Sequence, residues 1–98
     1  MKLEFHLSRL ASRDLENIWE YTFKNWSLKQ ADNYVKQIMI QISNVCSNPQ
    51  LGRQISSIKL GHRIIKIHYH FIVYKVEGQY LKIDRIVHER MDISNRLR

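Results

Sequence analysis

The sequence is poor in the residues that brace or interrupt a chain: its 98 positions include one cysteine, one proline and three glycines. A single cysteine, Cys46, excludes an intramolecular disulfide framework. Free cysteine is usually buried and inert, and nothing nearby in sequence would activate this one; the expectation is a small apolar residue near a helix end. No apolar run approaches the roughly 18 residues that a membrane span needs. Residues Met1 to His6 alternate and carry charge, without the apolar core of a signal peptide, so a cytoplasmic protein is expected. There is no repeat, low-complexity tract or linker, and a chain this short has room for one core. One domain over residues 1–98 is expected.

What is present is ordinary for a folded protein in amount and uneven in placement. Hydrophobic residues make up 44% and charged residues 26%, which argues against disorder. The net charge is +7, yet residues 1–48 hold 6 basic and 5 acidic side chains, while residues 49–98 hold 10 and 4. The positive charge therefore belongs to the second half. It reads either as a solvated face or as a surface for an acidic partner, protein or nucleic acid.

Periodicity divides the chain. Leu3, Phe5 and Leu7 alternate with Lys2, Glu4 and His6, the pattern of a half-buried strand. Ser8 is a candidate helix cap. Leu10, Ala11, Leu15, Ile18, Trp19, Thr22 and Trp26 then recur at helical spacing, so a helix ending near Asn25 is predicted. Its Asp14, Glu16 and Glu20 side reads as solvated. Ser27-Leu28-Lys29-Gln30 has the form of a capping box, and a second apolar stripe runs from Ala31 to Val45 until Asn48-Pro49 stops it. Residues 49–61 read as a long loop with at most a turn of structure. Three strands fit the rest: Arg63 to Ile67, Phe71 to Val76 and Tyr80 to His88, with a tight turn at Glu77-Gly78. Ile86 breaks phase with Leu81 and Ile83, which predicts a bulge near Asp84-Arg85. The expected fold is an α+β two-layer domain: an N-terminal strand, an antiparallel helix hairpin and a C-terminal three-stranded antiparallel meander, with the hairpin as the only cover for the sheet.

The order and spacing of several motifs resemble the ParE branch of the RelE/ParE toxin–antitoxin superfamily. They are Asp14-Leu15 with Ile18-Trp19 and Tyr21; Trp26 before Gln30-Ala31 and Tyr34; Asn48-Pro49-x-x-Gly52-Arg53; Gly61-x-Arg63; and Arg85-Ile86-Val87-His88-x-Arg90-Met91-Asp92 followed by Arg96-Leu97. The resemblance covers essentially the whole chain. It implies the toxin of a type II module that binds and poisons DNA gyrase, serves plasmid stabilisation and is neutralised by a ParD-like antitoxin; such antitoxins are often acidic, which suits the basic half. It implies a binder and not an enzyme, with no cofactor, no membrane partner, a hetero-oligomer with the antitoxin, and nucleic acid reached only indirectly through gyrase or an antitoxin-bound operator.

Candidate sites follow. Trp19 and Trp26 on the hairpin, with Arg53, Arg63, Lys66 and Arg85 in the basic half, are candidate antitoxin contacts, because exposed Trp and Arg dominate interface energetics. Arg90, Met91, Asp92, Arg96, Leu97 and Arg98 are candidate target contacts, since the resemblance implies that the tail contributes to gyrase inhibition. The alternative is a ribosome-dependent mRNA endonuclease of the RelE type. Arg63, Arg85 and His88 would then be its catalytic set, His88 as the acid–base group, with Lys59 and Lys66 holding phosphate. In the ParE pattern His88 instead closes the sheet or orients the tail. His68 and His70, placed on one strand face, have metal-ligand spacing but no second ligand pair, so a polar turn is expected there and no metal.

Overall fold

A computed structural model describes residues 2–91. The first strand, β1 (Glu4–Leu7), passes straight into helix α1 (Arg9–Asn25) through Ser8. Ser8 Oγ accepts the Ala11 N–H at 2.9 Å and donates to the Asp84 carbonyl at 2.6 Å, so one hydroxyl caps the helix and fastens it to the sheet. Helix α2 (Leu28–Ser47) starts in the same way, with Ser27 Oγ accepting from the Gln30 N–H at 3.1 Å. The serine half of the capping box is thus formed, while the Gln30 side chain lines a groove described below. Asn48, at φ −146° and ψ 83°, has left helical geometry ahead of Pro49.

The region read as a loop is more ordered than its sequence suggests. A single 3-10 turn (Pro49–Leu51) leads into a two-residue strand, β2 (Arg53–Gln54). The remaining strands are β3 (Arg63–Ile67), β4 (His70–Glu77) and β5 (Tyr80–His88). The sheet therefore has five strands, ordered β1-β5-β4-β3-β2, with β1 parallel to β5 and the other neighbours antiparallel. The predicted bulge is present. Val73 pairs with Arg85 and Tyr74 with Ile83, leaving Asp84 as the extra residue on β5. That insertion returns Ile86 to the face of Leu81 and Ile83.

Both sheet faces are covered. On one, Ala11, Ile18, Ile38, Ile42, Val45 and Cys46 of the helices pack on Ile72, Tyr74, Leu81, Ile83 and Ile86. Each fully buried isoleucine contributes about 1.5–3 kcal/mol. A second cover, not expected from the sequence, lies on the opposite face, where the segment from Ile55 to His62 folds over it as a clip. Ile55 and Ile58 meet Ile64, Phe71, Val73 and Val87. The helix hairpin is thus not the only cover. A Lys59–Asp84 ion pair holds the clip to the bulge. The His62 ring, 5% exposed, bonds the Leu60 carbonyl through Nδ1 at 2.9 Å and lies 3.8 Å from the Asp84 carboxylate.

Tyr74 locks the start of the clip. Its buried hydroxyl donates to the Pro49 carbonyl at 2.7 Å and accepts the Gly52 N–H at 2.8 Å. Burial raises its pKa, so the phenol stays protonated and able to donate. A Cβ on Gly52 would lie 2.5 Å from that hydroxyl and 2.7 Å from the Ile64 carbonyl, so only glycine fits.

Candidate binding groove

The connected end of the helix hairpin, around Trp26, and the β3–β4 turn enclose a groove of about 840 Å³. Tyr21 and Trp26 form one lip. Their rings are 6.0 Å apart, and the residues are 62% and 61% exposed. Tyr34 and Gln37 of α2, the turn His68-Tyr69-His70, and His88 of β5 form the floor and the other wall. No Lys, Arg, Asp or Glu is among its lining residues. The groove is aromatic and polar but uncharged in its fixed side chains, which suits the apolar side of a peptide more than a phosphate.

Tyr34 organises the floor. Its hydroxyl bonds His70 Nδ1 at 2.7 Å and accepts the Tyr69 N–H at 3.3 Å. Burial raises the Tyr34 pKa. Burial, and then the neighbouring His88, lower the His70 pKa to about 4. Near neutral pH His70 is therefore uncharged, and Nδ1 is assigned as the acceptor of the Tyr34 proton. The His70 and His88 rings meet edge to face at 5.2 Å. His68 and His70, expected on one strand face, are split by the turn: His68 sits at φ 51° with its ring nitrogen on Gln37, and His70 opens β4. Both rings nevertheless flank Tyr34, at 5.8 and 5.5 Å.

The three residues of the nuclease alternative lie apart. Arg63 on β3 donates to the Gly52 carbonyl at 2.6 Å. Arg85 on β5, one strand beyond β4, binds Asp14 through two nitrogens at 2.8 and 3.0 Å. These side chains are 17% and 13% exposed, and the hydrogen bond to Asp14 raises the Arg85 pKa, which keeps the guanidinium charged. His88 lies in the groove, where Nδ1 accepts the Arg90 N–H at 3.1 Å and its carbonyl accepts the Met91 N–H at 3.0 Å. Both bonds orient the chain as it leaves the sheet. Lys59 is paired with Asp84 and Lys66 with Glu89.

The candidate antitoxin contacts are spread over the surface. Trp26 stands at the groove mouth. Trp19 stacks on Phe23 at 5.2 Å and donates its indole N–H to Asp32 at 2.9 Å. Arg53 is exposed on β2, while Arg63, Lys66 and Arg85 have the partners just given. Of the candidate target contacts, Arg90 and Met91 are exposed; Asp92, Arg96, Leu97 and Arg98 lie outside the described residues.

Sequence reasoning placed Asp14 on the solvated side of α1, and the structure corrects this. Besides Arg85, the Asp14 carboxylate accepts the Ile86 N–H at 2.9 Å, completing the edge of β5 past the end of β1. The signal was available: Ala11, Asp14 and Ile18 are spaced i, i+3, i+7 and share the buried face.

Comparison with known proteins gives one consistent result. A family model described as "ParE toxin of type II toxin-antitoxin system, parDE" matches residues 5–93. Toxin ParE1 of Mycobacterium tuberculosis is 32% identical over 98 residues, covering 99% of this chain and 100% of the relative. Toxin ParE1 of Caulobacter vibrioides is 30% identical over 88 residues, covering 90% and 91%. Among solved structures, a chain of the chromosomal ParDE TA system from P. aeruginosa superposes with a TM-score of 0.77 at 20% identity, covering 89% of this chain and 96% of that one. A chain of the toxin–antitoxin complex RelBE2 from Mycobacterium tuberculosis has a TM-score of 0.62 at 13% identity, covering 90% and 99%. These two likenesses concern the fold.

Proposed function

Because this chain belongs to the ParE toxin family of type II toxin–antitoxin systems, we propose that it acts in the cytoplasm by binding and poisoning DNA gyrase, and that a ParD-like antitoxin neutralises it. The observation that carries the reading is the ParE match along residues 5–93. The geometry supports binding over catalysis. Arg63 and Arg85 spend their guanidinium groups on the Gly52 carbonyl and on Asp14, so neither is free to stabilise a reacting phosphate.

The antitoxin occupies the groove with the apolar side of a helix, anchored between Trp26 and the Tyr34 floor. An acidic extension follows onto the basic sheet half. Exposed aromatic rings beside an uncharged floor are suited to this, since they supply large contact area with few rotamers to freeze. The exposed Arg90-Met91 end, where His88 directs the chain, is the start of the target-binding tail.

The test is a supercoiling assay with purified toxin. Inhibition with accumulation of cleaved DNA is expected; gyrase that remains fully active at excess toxin sinks the reading. Antitoxin docking is tested separately by Trp26→Ala, expected to weaken the toxin–antitoxin complex by about 2 kcal/mol or more.

A second reading draws on the RelBE2 likeness and on the His88–His70–Tyr34 cluster in an open groove. It is ribosome-dependent mRNA cleavage with His88 as the acid–base group. Primer extension on translated messages would detect it, and a His88→Ala variant that still cuts would remove His88 from that role.

A further inference from the structure

The groove carries hydrogen-bond donors that its own chain does not use. His88 Nδ1 accepts the Arg90 N–H at 3.1 Å. A backbone N–H can only donate, so that nitrogen bears no proton and the ring proton sits on Nε2. His70 repeats the pattern: its Nδ1 takes the Tyr34 proton at 2.7 Å, which again leaves the ring proton on Nε2. Neither Nε2 has an acceptor among the described residues. No buried side-chain nitrogen there lacks a partner, so both Nε2–H groups reach solvent, and the residues that carry them line the groove. His68, the third imidazole, differs because its Nε2 is engaged with Gln37.

Two N–H donors on rings 5.2 Å apart suit an acceptor with two oxygens and a charge to share between them. A carboxylate entering a groove without Lys or Arg needs a counter-charge, or its desolvation is costly. The imidazoles are the lining groups that can supply one, by taking up a proton. The chain's own carboxylates that act on His70 are Asp14 of α1 and Glu89 after β5, and each is held by its own cation, Arg85 and Lys66. From α2 comes the Tyr34 phenol, kept protonated by burial, and Arg90 beyond Glu89 is exposed. Burial, and then His88, hold the His70 pKa at about 4 in the unbound chain. A bound carboxylate raises it, so binding draws in a proton and tightens as pH falls.

We propose that the His70–His88 end of the groove is a recognition site for one carboxylate, an Asp or Glu side chain of the antitoxin, held by the two Nε2–H groups. The proposal rests on the reading that the antitoxin occupies this groove. It adds to that reading one acidic residue among the apolar contacts, and it makes their binding depend on pH.

The experiment uses the full chain alone with two small probes, phenylpropionate and its primary amide. They share a ring for the Tyr21–Trp26 lip and differ only in the acceptor. Binding is followed by NMR through the ring nitrogens of His70 and His88, between about pH 5.5 and 7.5, where an alkyl carboxylate is ionised. The carboxylate is expected to shift both Nε2 signals and, at the lower pH, to bind about tenfold more tightly than the amide. Its affinity should fall as pH rises, while that of the amide stays level. His88→Phe keeps a ring against His70 but has no Nε2–H, and it should remove most of the tenfold preference. His6→Phe on β1, outside the groove, should leave the preference intact. If His88→Phe does not fold, the Nε2 shifts and the pH dependence of the unmodified chain decide. Absence of carboxylate binding at low pH, equal affinity for the two probes, or a preference that survives His88→Phe would each overturn the proposal. A site built for a backbone carbonyl would give the second of these results. No antitoxin is in the assay, so failure here leaves antitoxin docking to the Trp26→Ala test. A Trp26→Ala toxin that binds antitoxin normally sinks the docking, while a carboxylate preference of the toxin alone still stands.

Discussion

The two covers of the sheet are built on different principles. The helix hairpin buries a continuous apolar seam from Ala11 to Cys46. The clip buries Ile55 and Ile58 and is held by one lysine, one histidine and the extra carboxylate that the β5 bulge presents. The first is regular, cooperative and general in its packing. The second is a local device made of single residues, attached at one bulge. The hairpin face is thus expected to set global stability, and the clip face to govern local opening.

The largest effect that tests this contrast is a matched pair of truncations. Ile42→Ala, in the hairpin seam, is expected to cost about 3–5 kcal/mol in urea unfolding, near the top of the range for buried isoleucine. Ile55→Ala, in the clip, is expected to cost about 2 kcal/mol and to speed amide exchange selectively over residues 55–62. Equal costs with no local signature would erase the distinction.

Asp14→Ala comes next. It leaves the Arg85 guanidinium and the Ile86 N–H without their partner in a partly buried site. A loss of roughly 2–4 kcal/mol is expected, measured by thermal melting, with Asp14→Asn less harmful because its amide oxygen still accepts the backbone bond.

The hairpin side should also respond to acid. The His70 pKa falls from 6.5 to about 4 on folding, so between these values the unfolded chain binds more protons. Its contribution is fully present above pH 6.5 and is lost as pH falls towards 4. The sign is a loss of stability on acidification, of at most about 2–3 kcal/mol once partial exposure is discounted. A His70→Gln variant should show a flatter profile over that window.

The smallest effect belongs to the clip's ion pair. Lys59→Ala should cost only about 0.2–1 kcal/mol globally, because both side chains are about a third exposed. Exchange at residues 55–62 should nevertheless rise, which separates the clip from the hairpin more cleanly than any melting curve.

The same contrast explains what the sequence disclosed. Both helices could be placed because Ser8 and Ser27 cap them and their apolar stripes keep a period. Strands β4 and β5 followed from their β-rich alternation, and the phase break at Ile86 located the bulge at Asp84. The parallel pairing of β1 with β5 joins residues at opposite ends of the sequence, and no local pattern encodes it. Strand β2 is too short to show a period, and Ile55 and Ile58 look like scattered apolar residues in a loop until Tyr74 and Gly52 fix where that loop begins. For the groove, the aromatic residues of the hairpin were visible. Their assembly with His70 and His88 depends on the turn at His68, whose left-handed backbone has no marker such as glycine.

The sheet's margins carry one more consequence. Its outermost strands, β1 and β2, have four and two residues, or roughly 13 and 7 Å of ladder. Where β1 ends, Ser8 and Asp14 take up the Asp84 carbonyl and the Ile86 N–H; beyond β2, Gln41 reaches the Lys66 carbonyl at 3.4 Å. Side chains from the helices stand in for missing strands. A chain finished in this way offers another copy little backbone to pair with, and so resists edge-to-edge growth into aggregates while it is not bound to its antitoxin.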